Sequence, residues 1–263
     1  MKVLFWNTHN NININTILGE IIIENSVDII ALAEYSANID NLIDSLKECG
    51  IEMQKYVCSS QRITVIGNIN NAIPALQDDK YSFQIISGYI FCFVHLPSQI
   101  YTNNEAARII TIDRIITDTN KIERKNNTEN TIIVGDFNIN PFDYGMIAAN
   151  HFHSIPFYDI AKKNSRIIEN QNFKMFYNPM WRFFGDLYEP YGTHYYSGSR
   201  ADNIFWNIYD QVMIRPTLRQ SFVDENLKII TETSTYSLLN KNGHPDKKKV
   251  SDHLPLLFEI KED

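Results

Sequence analysis

The sequence predicts an α/β domain in which two β-sheets pack face to face with helices on the outer faces. Three observations carry this. In the first fifty residues, apolar runs of strand length alternate with segments of helical spacing. From residue 62 to 96 the texture turns β-branched and aromatic with short polar breaks, the signature of successive strands. The chain of 263 residues shows no linker composition and no repeat, so it reads as one unit over 1–263. A chain of this size buries roughly 70–75% of its extended surface and needs no staples.

Taken in order, residues 2–7 read as a short buried strand. Residues 16–25 place Ile17, Leu18, Ile21 and Ile22 at helical spacing, and residues 27–34 return to a strand that ends on Glu34. Such a β-α-β unit is expected to cross over right-handed. A second helix spans 40–48 with Leu42, Ile43 and Leu46 on one face. Residues 62–96 are expected to form a meander of about three strands. The helical period returns over 105–118, with Asn103 or Asn104 as N-cap, and a charged loop then leads to a strand at 131–135. Residues 173–196 are a long loop crowded with aromatic rings, most of which are read as packing against the sandwich. Strands are expected again at 204–214 and 254–260.

Composition excludes several classes. With 24 basic and 31 acidic side chains the formal charge is −7, which argues against a generic basic coat for nucleic acid and leaves room for a local basic site. No apolar run approaches the ~18 residues needed to span a bilayer. The N-terminus lacks the pattern of a signal peptide, and three cysteines, Cys49, Cys58 and Cys92, have neither metal spacing nor the number for a disulfide framework. A soluble, cytoplasmic protein is expected.

The residues suited to metal and acid–base chemistry sit where strands stop. Asn7 closes the first strand and Glu34 the second; His95 ends 91–95; Asp136 and Asn138 follow 132–135; Asp252 and His253 introduce the last strand. Asp210 lies within 209–214. Taken singly, each is an ordinary turn, cap or core residue. Together they place oxygen ligands on one rim, a set that suits a hard cation such as Mg²⁺ or Mn²⁺.

Their order and spacing resemble the endonuclease/exonuclease/phosphatase superfamily, in its deoxyribonuclease I-like branch. The match runs from Phe5-Trp6-Asn7 through residues 29–34, Val94-His95, Gly135-Asp136-Phe137-Asn138 and Tyr209-Asp210 to Ser251-Asp252-His253, nearly the whole chain. The resemblance implies a four-layer α-β-β-α sandwich of two packed mixed sheets with outer helices. It implies that Glu34 is the principal metal ligand, supported by Asn7 and Asp252. Asp136 and Asn138 are then expected to position or deprotonate the attacking water, or to hold a second ion. His253, oriented by Asp210, would contact the scissile phosphate and serve in acid–base work, and His95 matches the second histidine of the deoxyribonuclease-like branch.

Two departures stand out. That branch pairs the equivalent of His95 with a carboxylate, whereas residues 60–65 hold no acid, and Arg62 is instead a candidate phosphate contact. The abasic-site branch carries Trp-Arg three and two residues before its Asp; here Trp206 stands four before Asp210, which speaks against abasic-site repair. His194 and Arg200 are further substrate candidates, as is the basic run Lys247-Lys248-Lys249 just before Ser251-Asp252-His253. The expectation is a divalent-metal phosphodiesterase with a nucleic-acid substrate, DNA favoured. Its alternatives are a phosphatase or phospholipase-type hydrolase of a small or lipid phosphoester, and an inactive binding module.

Overall fold

The computed structural model describes residues 1–98, 105–199, 201 and 203–262. Asn103, Asn104 and Arg200 therefore lie outside the described residues.

Two mixed sheets form the centre. The six-stranded sheet runs, in spatial order, β16 (Lys228–Ile229), β17 (Leu256–Glu259), β1 (Lys2–Asn7), β2 (Ile29–Ala33), β4 (Ile63–Gly67) and β3 (Gln54–Lys55). The seven-stranded sheet runs β5 (Ile73–Gln77), β6 (Tyr81–Ile86), β7 (Tyr89–His95), β8 (Thr131–Asp136), β15 (Asp210–Ile214), β12 (Phe176–Tyr177) and β9 (Ser154–Ile155). Two small antiparallel pairs, β10 (Ser165–Ile168) with β11 (Gln171–Lys174) and β13 (His194–Tyr195) with β14 (Trp206–Asn207), lie outside them.

Side-chain alternation explains the layers. Phe91, Phe93, Ile132, Val134, Val212 and Ile214 face the first sheet in one shared core, with Phe5, Ala31 and Val65 among their partners. Their neighbours Cys92, Val94, Ile133 and Met213 point the other way, onto α3 (Glu105–Asn126) through Ile112 and Ile115. A strand buried on both faces needs no polar alternation, which is why these segments are apolar throughout. Helices α1 (Asn15–Asn25) and α2 (Ile39–Glu48) add Leu18, Ile21, Leu42 and Leu46 to the core of the first sheet. The expected sandwich of two mixed sheets with helices is borne out.

Three local expectations are corrected. Residues 62–96 form four strands rather than one meander, and they divide between the sheets: β4 joins β2, while β5, β6 and β7 belong to the other sheet. The polar break after Gly67, where Asn71 adopts a φ of 73°, lets the chain cross between layers. The strand expected over 204–214 divides into β14 and β15. Finally, α3 continues to Asn126 through the stretch that reads as a charged loop.

That extension has a tertiary cause. Glu123, on the last turns of α3, is buried and accepts hydrogen bonds from Arg215 Nε at 2.7 Å, Thr131 Oγ1 at 2.8 Å and Lys174 Nζ at 2.9 Å. Burial works against its ionised form, but Arg215 and the other donors outweigh burial and hold its carboxyl below the usual range. The Arg215 guanidinium in turn lies 3.9 Å over the Phe176 ring. Glu123→Ala leaves a buried guanidinium unpaired and is expected to lower unfolding stability by about 3–5 kcal/mol. Urea unfolding checks this; an unchanged midpoint would show that the pair does not hold the helix end.

Candidate active site

The register of the second sheet aligns three site residues. His95 is the partner of Asp136 across β7 and β8, and Asp136 is the partner of Asp210 across β8 and β15. Gly135 permits this close pairing, because a Cβ there would sit 2.0 Å from the Val94 carbonyl oxygen. On the first sheet Asn7 pairs with Ala33, so Asn7 and Glu34 emerge side by side. The segment before β17 is tied down to β1. Trp6 Nε1 donates to the His253 carbonyl at 2.9 Å, and Ser251 Oγ donates to the Asn7 carbonyl at 2.7 Å. Both sheets thus present the candidate residues at one rim.

Within that rim His253 Nδ1 and Asp210 Oδ2 are hydrogen-bonded at 2.7 Å, and His253 Nε2 lies 4.0 Å from Asp136 Oδ2. Asn7 Nδ2 donates to Asp136 Oδ2 at 2.9 Å and reaches Glu34 Oε1 at 3.5 Å. The backbone N–H of Asn138 donates to Asp136 Oδ1 at 2.8 Å, so both carboxylate oxygens are positioned. Asn138 itself turns its amide to the Leu96 carbonyl at 3.0 Å. Glu34 and Asn138 hold φ of 47° and 52°, left-handed conformations that cost energy, more so for glutamate than for asparagine.

Electrostatics separates the roles. Burial, with Asp210 beside it, pushes the Asp136 carboxyl up to about 7 against the opposing charge of His253. For His253, burial favours the neutral ring, but the carboxylates of Asp210 and Asp136 outweigh it and raise the imidazolium to about 10. Burial and then the charges of Arg62 and His253 depress His95 to about 4. His95 Nε2 approaches Glu34 Oε1 at 3.5 Å, while its Nδ1 is buried without a partner, in keeping with the missing acid in residues 60–65. Arg62 pairs with Asp79 at 3.2 Å on the surface, and its charge is felt at His95.

The remaining candidates fall as follows. His194 on β13 lies beside the dyad, its ring centroid 4.7 Å from that of His253 and stacked on Tyr209 at 5.2 Å. Burial first and His253 second keep it neutral, down to about 3. Lys247, Lys248 and Lys249 are all exposed, and Lys247 reaches Asp252 Oδ2 at 3.3 Å. Sequence reasoning missed His9, whose Nδ1 lies 3.2 Å from Asp252 Oδ1 and 3.9 Å from Glu34 Oε2. It also missed Asn10, which donates to Glu34 Oε2 at 3.1 Å, and Thr193, whose hydroxyl accepts from the Asp210 N–H at 3.1 Å. The signal for the first two was their place immediately after Asn7.

The donor set fits a divalent cation. Glu34, Asp136, Asp210 and Asp252 gather at this rim, where Lys247 reaches only Asp252 among the described ion pairs, and Asp210 Oδ1 is buried without a hydrogen-bond partner. Among the described residues Asp136, Asp210 and His253 also bring ligand atoms within 4.8 Å of one another. Since His253 and Asp210 already bond each other, the more open Glu34, about a third exposed, is the better seat for an exchangeable ion.

No protein-family model matches the sequence, and no curated protein matches it as a relative. Solved structures do match. An endonuclease/exonuclease/phosphatase family protein from Bacteroides thetaiotaomicron aligns at TM-score 0.57 and 13% identity over 99% of this chain and 97% of its own. The chain has the endonuclease/exonuclease/phosphatase fold. An AP endonuclease from Archaeoglobus fulgidus is similar at TM-score 0.60 and 14% identity, with 100% of both chains covered. A mannosyl-6-phosphatase from Bacteroides thetaiotaomicron is similar at 0.55 and 12%, again with 100% of both chains covered. At such identities the endonuclease/exonuclease/phosphatase fold is what is shared, and the chemistry has to be argued from the site.

Proposed function

We propose that this chain is a divalent-cation-dependent phosphodiesterase of the endonuclease/exonuclease/phosphatase superfamily, acting on a polynucleotide with DNA favoured. The observation that carries the reading is the Asp210–His253 pair at 2.7 Å facing Asp136, with Glu34 and Asn7 alongside. An in-line displacement at phosphorus needs a base behind the nucleophile and positive charge at the phosphoryl oxygens. Asp136, with a carboxyl poised near 7 and both oxygens held, is placed to take the proton of an attacking water. Asn138, two residues on, orients that carboxylate through its backbone N–H. His253 is protonated at neutral pH and offers Nε2–H to a phosphoryl oxygen while Asp210 fixes its tautomer. Neutral His95 and His194 line the same floor as hydrogen-bonding groups. Glu34, Asn7 and Asp252 would hold Mg²⁺ or Mn²⁺, which supplies charge neutralisation to the phosphoryl and leaving oxygens.

Lys248 and Lys249, exposed just before Ser251, favour a polynucleotide because they suit phosphates that flank the scissile one. The fold itself does not choose, since its neighbours are named both as endonuclease and as sugar phosphatase. Among the described residues no helix is long and apolar enough to cross a membrane. The deciding experiment offers supercoiled plasmid, single-stranded DNA, RNA, a chromogenic phosphodiester and a sugar phosphate with Mg²⁺, Mn²⁺ or chelator. Ion-dependent cleavage of a polynucleotide is expected. Hydrolysis of the sugar phosphate with polynucleotides untouched would replace the nuclease by a phosphatase, and full turnover in chelator would overturn the ion.

A further inference from the structure

Four of the chain's seven histidines, His9, His95, His194 and His253, gather at one carboxylate-rich rim. His253 is committed to Asp210 and His194 stacks on Tyr209, which leaves His9 and His95 at Glu34. His9 is the more open of the two, more than a third exposed, and its Nδ1 stands between carboxylates from separate parts of the chain, Asp252 Oδ1 at 3.2 Å and Glu34 Oε2 at 3.9 Å. Its backbone is fixed for this position: φ is 49°, and its N–H donates to Asn7 Oδ1 at 3.1 Å. Asp210 Oδ1, on the partner of His253, is fully buried without a hydrogen-bond partner.

Two ligand atoms each 2.0–2.1 Å from one ion and set at a tetrahedral angle are about 3.4 Å apart. The His9–Asp252 separation of 3.2 Å is close to that value, and Glu34 Oε2 stands 3.9 Å from the same His9 nitrogen. A shell of carboxylate and amide oxygens alone suits Mg²⁺, whereas an added imidazole favours transition ions, which rise in affinity from Mn²⁺ toward Zn²⁺. We propose that His9 is a direct ligand of the ion held by Glu34 and Asp252, and that this nitrogen makes the centre take Mn²⁺ and Zn²⁺ ahead of Mg²⁺. The proposal rests on the ion-dependent reading above and adds which ion, and why.

Binding, not turnover, tests it. The full chain is titrated calorimetrically with Mn²⁺, Zn²⁺ and Mg²⁺ separately, and the Mn²⁺ complex is probed by pulsed electron paramagnetic resonance for coupling to imidazole nitrogen. The comparison is His9→Asn, since asparagine tolerates the left-handed backbone and offers oxygen, with His9→Ala as a second variant. Expected are tighter binding of Mn²⁺ and Zn²⁺ than of Mg²⁺, and a nitrogen coupling that disappears in both variants. Mn²⁺ affinity should fall by at least about tenfold in both, with Mg²⁺ affinity in His9→Asn unchanged. Ion binding with unaltered Mn²⁺ affinity and nitrogen coupling in the variants overturns this inference alone. A wild-type chain that binds none of the three ions overturns it together with the ion-dependent reading.

Discussion

His253→Ala is expected to lower phosphodiester turnover by about 10²–10³-fold, the span seen when a preorganised donor to a developing negative charge is removed. His253 is buried, bonded through Nδ1 to Asp210 at 2.7 Å, and presents Nε2 toward Asp136 at 4.0 Å. Removing it takes the charge and the donor from the phosphoryl oxygen. Asp210→Asn should cost a comparable factor, because an amide at that position no longer stabilises the imidazolium and can select the wrong tautomer. The two residues act through one hydrogen bond, so the double variant should lose little more than either single one. Losses that add in log rate would show that Asp210 serves some purpose other than holding His253. Circular dichroism on each variant separates chemistry from folding, since the Trp6 bond to His253 goes to its backbone carbonyl and needs no imidazole.

The second large effect concerns stability against pH in excess chelator. His253 is raised from its ordinary 6.5 to about 10 in the folded chain. The stability it contributes is therefore fully present below 6.5 and is lost as pH rises through 10. Asp136 is raised from 3.8 to about 7, the reverse of the usual carboxylate case. The folded chain holds that proton where the unfolded chain has lost it, so stability falls again as pH climbs from about 4 to 7. Both contributions point the same way, and they share the Asp136–His253 attraction, so they are not summed. On the order of 5 kcal/mol is the ceiling for a single group displaced by this much. Metal-free protein should accordingly melt at a lower temperature at pH 9 than at pH 6, and His253→Asn should flatten that slope. A metal-free melting temperature that climbs between pH 6 and 9 would contradict both assignments.

Much of the site could be read from the sequence because it is built from strand ends. An apolar run that stops on Asn7, Glu34, His95 or Asp136 announces both the strand and the residue that leaves it, and the Gly-Asp-Phe-Asn and Ser-Asp-His segments fix the order. Local periodicity likewise determined α1, α2 and the central strands β1, β2, β8 and β17, since burial of one face or both is written into the spacing of apolar residues. Other features depend on partners far away in the chain. The end of α3 reads as a loop until Arg215, 92 residues on, neutralises Glu123. β4 reads as part of a meander until pairing with β2 draws it into the other sheet. His9 is an unremarkable loop residue until the turn after β1 carries it between Glu34 and Asp252, which lie 218 positions apart (252 − 34). The charge states of Asp136 and His253 were equally out of reach. A side chain's type is local, but its desolvation and the field around it arise only when two sheets close over the same rim.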